Sequence, residues 1–157
     1  MNRQVGVEAQ LTEVASLLVP LGVRHLALPN VSVAEVVSWR EPEPLPQAPA
    51  WLLGRIAWRD QMVPLVSFEL LNDEAAVEAP AQRRIVILNN VTGDPNLPFC
   101  ALACTGVPRL TRVVRDELVE DPGTAPGPME VCRVLVAGER AAIPDLELLQ
   151  RSVLAVL

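Results

Sequence analysis

The sequence predicts an all-β protein with short helices, most simply arranged as paired small barrels. Eight to ten apolar runs of strand length recur along the chain, separated by breaks that use its 15 prolines and 8 glycines. Helical spacing supplies only two short segments beside them. The stretch from Leu45 to Leu71, LPQAPAWLLGRIAWRDQMVPLVSFELL, is the centre of the pattern. Two apolar runs, Trp51 to Trp58 and Met62 to Leu71, flank a polar break at Arg59, Asp60 and Gln61, the signature of a β-hairpin.

Taken in order, residues 1–14 are mixed and read as a frayed or short helical lead-in. SLLVPLGVRHLALP (16–29) reads as two strands around a turn at Pro20 and Gly22, with a period near two in the second. Asn30 is a good N-cap ahead of VSVAEVVSW, where Val33, Val36 and Val37 share one helical face and Glu35 sits off it, so a turn or two of helix is expected, ending near Trp39. Arg40 to Ala50 is a proline-rich extended loop. In the hairpin, Gly54 marks a bulge or a close backbone approach, and Pro64 marks a strand edge or bulge.

Residues 72–82 form an acidic connector, 83–91 a strongly apolar strand, and TGDPNLP a turn. In FCALACTGV, Cys100, Leu102 and Cys104 fall on one strand face and Ala101 and Ala103 on the other. Val107 to Val114, with Arg109, Arg112 and Arg115, makes a basic patch in an acidic chain. A Pro/Gly-rich acidic loop (116–130) leads to a hairpin turning at Gly138–Glu139. Asp145 then caps a C-terminal helix carrying Leu146, Leu149, Val153 and Leu157 on one stripe.

A chain of 157 residues is one domain by length, or two small lobes sharing a core. It is 50% hydrophobic and 20% charged, the composition of an ordered globular protein. The net charge of −6 and 3% aromatic content argue against nucleic acid as a partner. No apolar run reaches the roughly 18–20 residues of a membrane span, so no membrane insertion is expected. With no apolar leader near the N-terminus, the expected location is cytoplasmic.

Catalytic signatures are missing. The chain has no GxSxG elbow, phosphate loop, HExxH or dinucleotide fingerprint. Its carboxylates fall mainly in the loops around 72–79 and 116–130. Cys100, Cys104 and Cys132 lack CxxC spacing and His25 is the one histidine, so buried structural thiols and a half-buried strand histidine are expected, with no metal and no cofactor. The residues describe a binding or scaffolding module and not an enzyme. The alternatives are a small-ligand-binding β-barrel or an enzyme with a cryptic Cys/His site.

The run ALPNVSVAEVVSW followed by PLPQAPAWLLGRIAWRDQMVPLVSFELL resembles the signature of CheW-like domains, the coupling proteins of chemotaxis. In that family a V-x-E-[IV] helix precedes a proline-containing loop and a segment of the form G-[VI]-x-N-[LW]-R-G-x-[VI]-[VL]-P-[VIL]-x-[DN]-[LF]. Val33 and Glu35 match the first pattern; Gly54, Arg59 and Pro64 match the second. Ala57, Asp60 and Ser67 depart from its Asn, Gly and Asp. The resemblance implies one domain over residues 15–157, with two five-stranded SH3-like barrel lobes on a shared apolar core.

It also implies a non-enzymatic adaptor between a chemoreceptor's cytoplasmic hairpin tip and the regulatory domain of a CheA-type histidine kinase. Val33, Glu35, Gly54, Trp58, Arg59 and Asp60 are its expected partner-binding residues. Asp60 is placed to pair with Arg59 and damp its charge. The departures suggest a divergent (ChpC-like) member serving a type IV pili chemosensory system.

Overall fold

The computed structural model describes residues 13–76, 80–114 and 118–157. Most of the expected lead-in, and Arg115 of the basic patch, lie outside them. Strands β1 (Glu13–Pro20) and β2 (His25–Pro29) form the first hairpin, and a 3-10 turn at Asn30–Ser32 leads to β3 (Val33–Ser38). Strands β4 (Leu52–Trp58) and β5 (Gln61–Val66) make the central hairpin, followed by helix α1 (Phe68–Leu71), β6 (Arg84–Asn89) and β7 (Phe99–Cys104). The chain ends with β8 (Arg109–Val114), β9 (Val119–Glu120), β10 (Glu130–Val136), β11 (Glu139–Pro144) and helix α2 (Leu146–Leu154).

Two sheets result, ordered β8-β1-β2-β11-β10-β9 and β3-β6-β7-β5-β4. The predicted two-lobe, mostly β architecture holds, and the first lobe carries the two-residue β9 as a sixth strand. The second lobe is inserted into the first, between β2 and β8. Each sheet contains one parallel pair, β2 with β11 and β5 with β7.

Strand alternation explains where the core sits. On β7, Cys100, Leu102 and Cys104 face a large central cluster, and Ala101 and Ala103 face a second one. The central cluster draws Leu26 and Leu28 from the first lobe, Val86 and Leu88 from the second, and Leu149 and Val153 from α2. Burying each such side chain contributes roughly 1.5–3 kcal/mol, so both lobes depend on it. Ile56, Trp58, Val63 and Ile85 fill the second lobe, and Leu18, Val134 and Ala141 fill the first.

Polar groups also cross between the lobes. Arg24, in the β1–β2 turn, pairs with Glu74 of the second-lobe connector and lies 3.8 Å from Glu130. Arg133 pairs with Glu130 at 2.9 Å and with Glu74 at 3.5 Å. The Met129 N–H donates to Asn72 Oδ1 at 2.9 Å.

Several elements differ from the sequence reading. The helix expected over 31–39 is a single 3-10 turn followed by strand β3. Val33, Val36 and Val37 pair with Leu88, Val86 and Ile85 of β6, a ladder suited to β-branched residues. Val36 is exposed while Val33 and Val37 are half-buried, so the three share no face. The cap position of that turn is Pro29, which offers no side-chain bond, and the expected cap Asn30 is the turn's first residue. The run Met62–Leu71 stops as a strand at Val66, because the Ser67 side chain accepts from Leu70 N–H and starts α1.

Pro64 lies in an interior strand, one residue before the β5–β7 ladder begins at Leu65. The last hairpin turns at Ala137–Gly138, both at positive φ. Asp145 caps α2 as expected, but Leu157 is beyond the helix and exposed. Gln150, which the apolar stripe passed over, is fully buried, donating to Asn89 O at 2.9 Å and accepting from Val91 N–H at 3.0 Å.

Candidate functional site

The site begins with the turn of the central hairpin. Arg59 and Asp60 form a two-residue connection with φ of 45° and 60°, between the paired residues Trp58 and Gln61. This left-handed conformation is the one tight hairpins need and glycine favours. The polar tip is therefore two residues long, with Gln61 already in β5. A bulge between Leu52 and Gly54 resets the alternation of β4, turning Leu53, Ile56 and Trp58 into the second lobe.

Trp58 is 4% exposed and meets Phe99 edge-to-face, with ring centroids 4.8 Å apart. Its Nε1–H donates to Glu35 Oε2 at 2.5 Å. Glu35 is on β3 and Trp58 on β4, the two outer strands of the sheet, so this bond crosses the seam where the sheet curls towards itself. Arg40, just after β3, donates to Ala57 O across the same seam. Arg59 lies with its guanidinium carbon 4.6 Å from the Trp58 ring centroid and Nη2 3.7 Å from the same Glu35 oxygen. Its ion pair is with Glu35, not with adjacent Asp60, as the sequence had suggested. The Arg59 side chain is 66% exposed, and such pairs contribute about 0–1 kcal/mol. Arg59 is oriented but lightly held.

Of the six expected residues, the structure brings together Glu35, Trp58 and Arg59, with Asp60 following in the turn. Val33 packs against the central core. Gly54 has φ of 142°, and a Cβ there would lie 2.3 Å from Glu43 O, so its place is dictated by the proline-rich loop crossing β4. Beside the hairpin runs a groove of about 390 Å³, lined in part by Leu45, Pro46, Arg55, Met62, Pro98 and Phe99. Phe99 thus touches both the groove and Trp58. Sequence reasoning missed it, because β7 and β4 are not neighbours in the sheet.

A second constellation of the same composition was also missed. Trp39 Nε1 donates to Glu41 Oε2 at 3.0 Å, and the Arg83 guanidinium sits 3.9 Å over the Trp39 ring and 3.8 Å from Glu41. Trp39 and Trp58 border the same apolar cluster.

Burial raises the Cys100 thiol to about 12 and also raises Cys104 and Cys132, the opposite of an activated nucleophile. His25 is half-buried on β2, its Nδ1 3.9 Å from Glu139 Oε2. Among the described residues no cluster of His, Cys, Asp or Glu is arranged to hold a metal ion. No helix among them is long and apolar enough to cross a membrane.

Fold and site together define a two-lobed β module whose exposed feature is an arginine-tipped hairpin beside an apolar groove. The family model for the CheW-like domain matches residues 15–153, and the chain belongs to that family. Among solved structures it is similar to the scaffolding protein TtCheW from Thermoanaerobacter tengcongensis, with a TM-score of 0.70 over 83% of this chain and 88% of that one. Their sequences are 16% identical, a likeness of fold. Among curated proteins, none matches the chain.

Proposed function

We propose that this protein is a non-enzymatic scaffold that couples chemoreceptors to a CheA-type histidine kinase in the cytoplasm. The observation that carries the reading is the family match, which spans both lobes from residue 15 to 153. One lobe pairs with the kinase's regulatory domain through strand-edge and apolar contacts. The groove beside Arg59 takes the helical hairpin tip of a receptor. Coupling then arises from favouring one kinase–receptor geometry, a differential energy of about 1–3 kcal/mol.

The departures from the family pattern favour a specialised partner, such as a receptor of a type IV pili chemosensory system. Ser67 is a neutral change for the fold, since it caps α1 as an aspartate would. Asp60 is not neutral: it adds a negative charge at the tip where glycine would leave none.

Titration calorimetry with the regulatory domain of a CheA-type kinase from the same genome, and with a receptor hairpin fragment, tests this. Micromolar binding is expected. Arg59→Ala should cost roughly 2 kcal/mol, about thirtyfold, towards the partner that uses the hairpin. It should leave the urea midpoint unchanged, because the residue is exposed. Binding weaker than about 100 μM to both partners overturns the coupling reading.

A further inference from the structure

The first lobe carries a cleft that shares no lining residue with the groove beside the hairpin. It has a volume of about 70 Å³ and lies between the β1–β2 turn, the loop after β9 and the β10–β11 hairpin. Arg24, Arg133 and Arg140 line it together with Asp121 and Thr124. Opposite residues of a ladder share a face, and the register sets Arg133 against Ala142 and Arg140 against Leu135. Both arginines therefore project from one side of that hairpin. The pairing of His25 with Ala141 brings Arg24 beside them.

Two of these guanidinium groups are held from behind. Arg24 reaches Glu74 and Glu130 through Nη1, and Arg133 reaches Glu130 through Nε and Glu74 through Nη2. The two arginine side chains are 14% and 15% exposed, and neither glutamate lines the cleft. Arg24 Nη2 and Arg133 Nη1 take no acceptor among the described residues, and no unpartnered side-chain atom there is sealed from solvent. These spare N–H groups thus face the solvent that the cleft admits. Arg140 is 72% exposed, with a loose 3.9 Å contact to Asp121 Oδ2. Asp121 Oδ1 accepts the Gly123 N–H at 3.0 Å, and its own N–H donates to Arg133 O at 2.9 Å.

We infer that this cleft binds one small tetrahedral oxyanion, phosphate or the phosphate group of a small monoester. Guanidinium forks match phosphate oxygens in pairs, and forks held in advance lose little side-chain freedom on binding. The cleft is several times the volume one water needs, enough for a single phosphate group. Arg24, Arg133, Glu74 and Glu130 are neutral as a set, so attraction comes from donors at close range and not from net charge. The Thr124 hydroxyl supplies a further donor, and Asp121 is the one opposing charge in the lining. The inference is independent of the coupling reading.

Calorimetry and phosphorus resonance with inorganic phosphate, at ionic strength matched with chloride, test it on the full chain. One saturable site with a Kd below about 1 mM is expected. Arg140→Ala should weaken it about tenfold. Asp121→Asn, which keeps the oxygen that Gly123 uses, should tighten it about threefold. Arg151→Ala, an exposed arginine on α2, controls for unspecific attraction and should leave the Kd unchanged. The Nε–H resonances of Arg24 and Arg133 should shift along the same titration, a readout that needs no substitution in the buried network. Glycerol phosphate binding as tightly as inorganic phosphate assigns the site to monoesters, and binding of inorganic phosphate alone assigns it to the free ion. No saturation by about 10 mM overturns the inference. So does a wild-type Kd in Arg140→Ala, no gain in Asp121→Asn, an equal loss in Arg151→Ala, or unmoved Arg24 and Arg133 resonances.

Discussion

Glu69 is a buried acid on helix α1 whose carboxyl is shifted by its surroundings. It is 6% exposed, and burial raises its carboxyl above the usual 4.5 against the opposing hydrogen bonds of Ser67 and the backbone. The folded state therefore holds the proton more tightly than the unfolded chain. That contribution is fully present below 4.5 and is lost as pH rises through the raised value. Glu69→Gln, which carries no such proton, should gain stability relative to wild type as pH rises from 4 and hold a constant advantage above the transition. Urea midpoints of both proteins between pH 4 and 8 measure this, and a difference that does not vary with pH refutes it. The sequence hid this residue because it read 62–71 as one strand; the cap at Ser67 turned Glu69 inward. Glu35 was singled out by the family pattern, but its bond to Trp58 was not legible, since β3 and β4 are the two outer strands of the sheet and share no ladder.

At the scale of elements, the central hairpin was the most legible part of the chain. Its two apolar runs, polar tip and mid-strand glycine all carry local signals, and Gly54 occupies the bulge and the close approach predicted for it. Gly54→Ala places a methyl group 2.3 Å from Glu43 O at a φ of 142°. The expected cost is about 2–4 kcal/mol, read as a lowered urea midpoint; a loss below about 1 kcal/mol would mean that the proline-rich loop moves aside. β3 shows the opposite case. Valines at 33, 36 and 37 fit a helical stripe and a strand equally well. The choice was made by β6, whose apolar RIVILN offers a partner that no local propensity records. The faces of β7 were readable because period-two alternation is intrinsic to a strand.

For the molecule as a whole, the mostly β class was legible from the spacing of apolar runs, but eight to ten strands were expected and eleven are described, and the two five-stranded lobes implied by the resemblance are sheets of six and five strands. Sheet order was not legible, because the parallel pairs β2–β11 and β5–β7 join segments far apart in sequence. The central cluster draws on both lobes, and the Arg24–Glu74–Arg133–Glu130 network crosses between them. The lobes should therefore unfold as one cooperative unit. The placement of the tryptophans makes this testable without any label. All three, Trp39, Trp51 and Trp58, belong to the inserted second lobe or its approach. Intrinsic fluorescence consequently reports on the second lobe through Trp39 and Trp58 and on the shared cluster through Trp51, whereas far-ultraviolet circular dichroism sums both lobes. Coincident urea transitions by the two methods are the expected outcome, and an emission change that runs ahead of the ellipticity would show the inserted lobe melting by itself. The same asymmetry makes the protein its own optical reporter for whatever docks at the hairpin, with Trp58 beside the tip, while a ligand on the outer face of the first lobe has no tryptophan next to it.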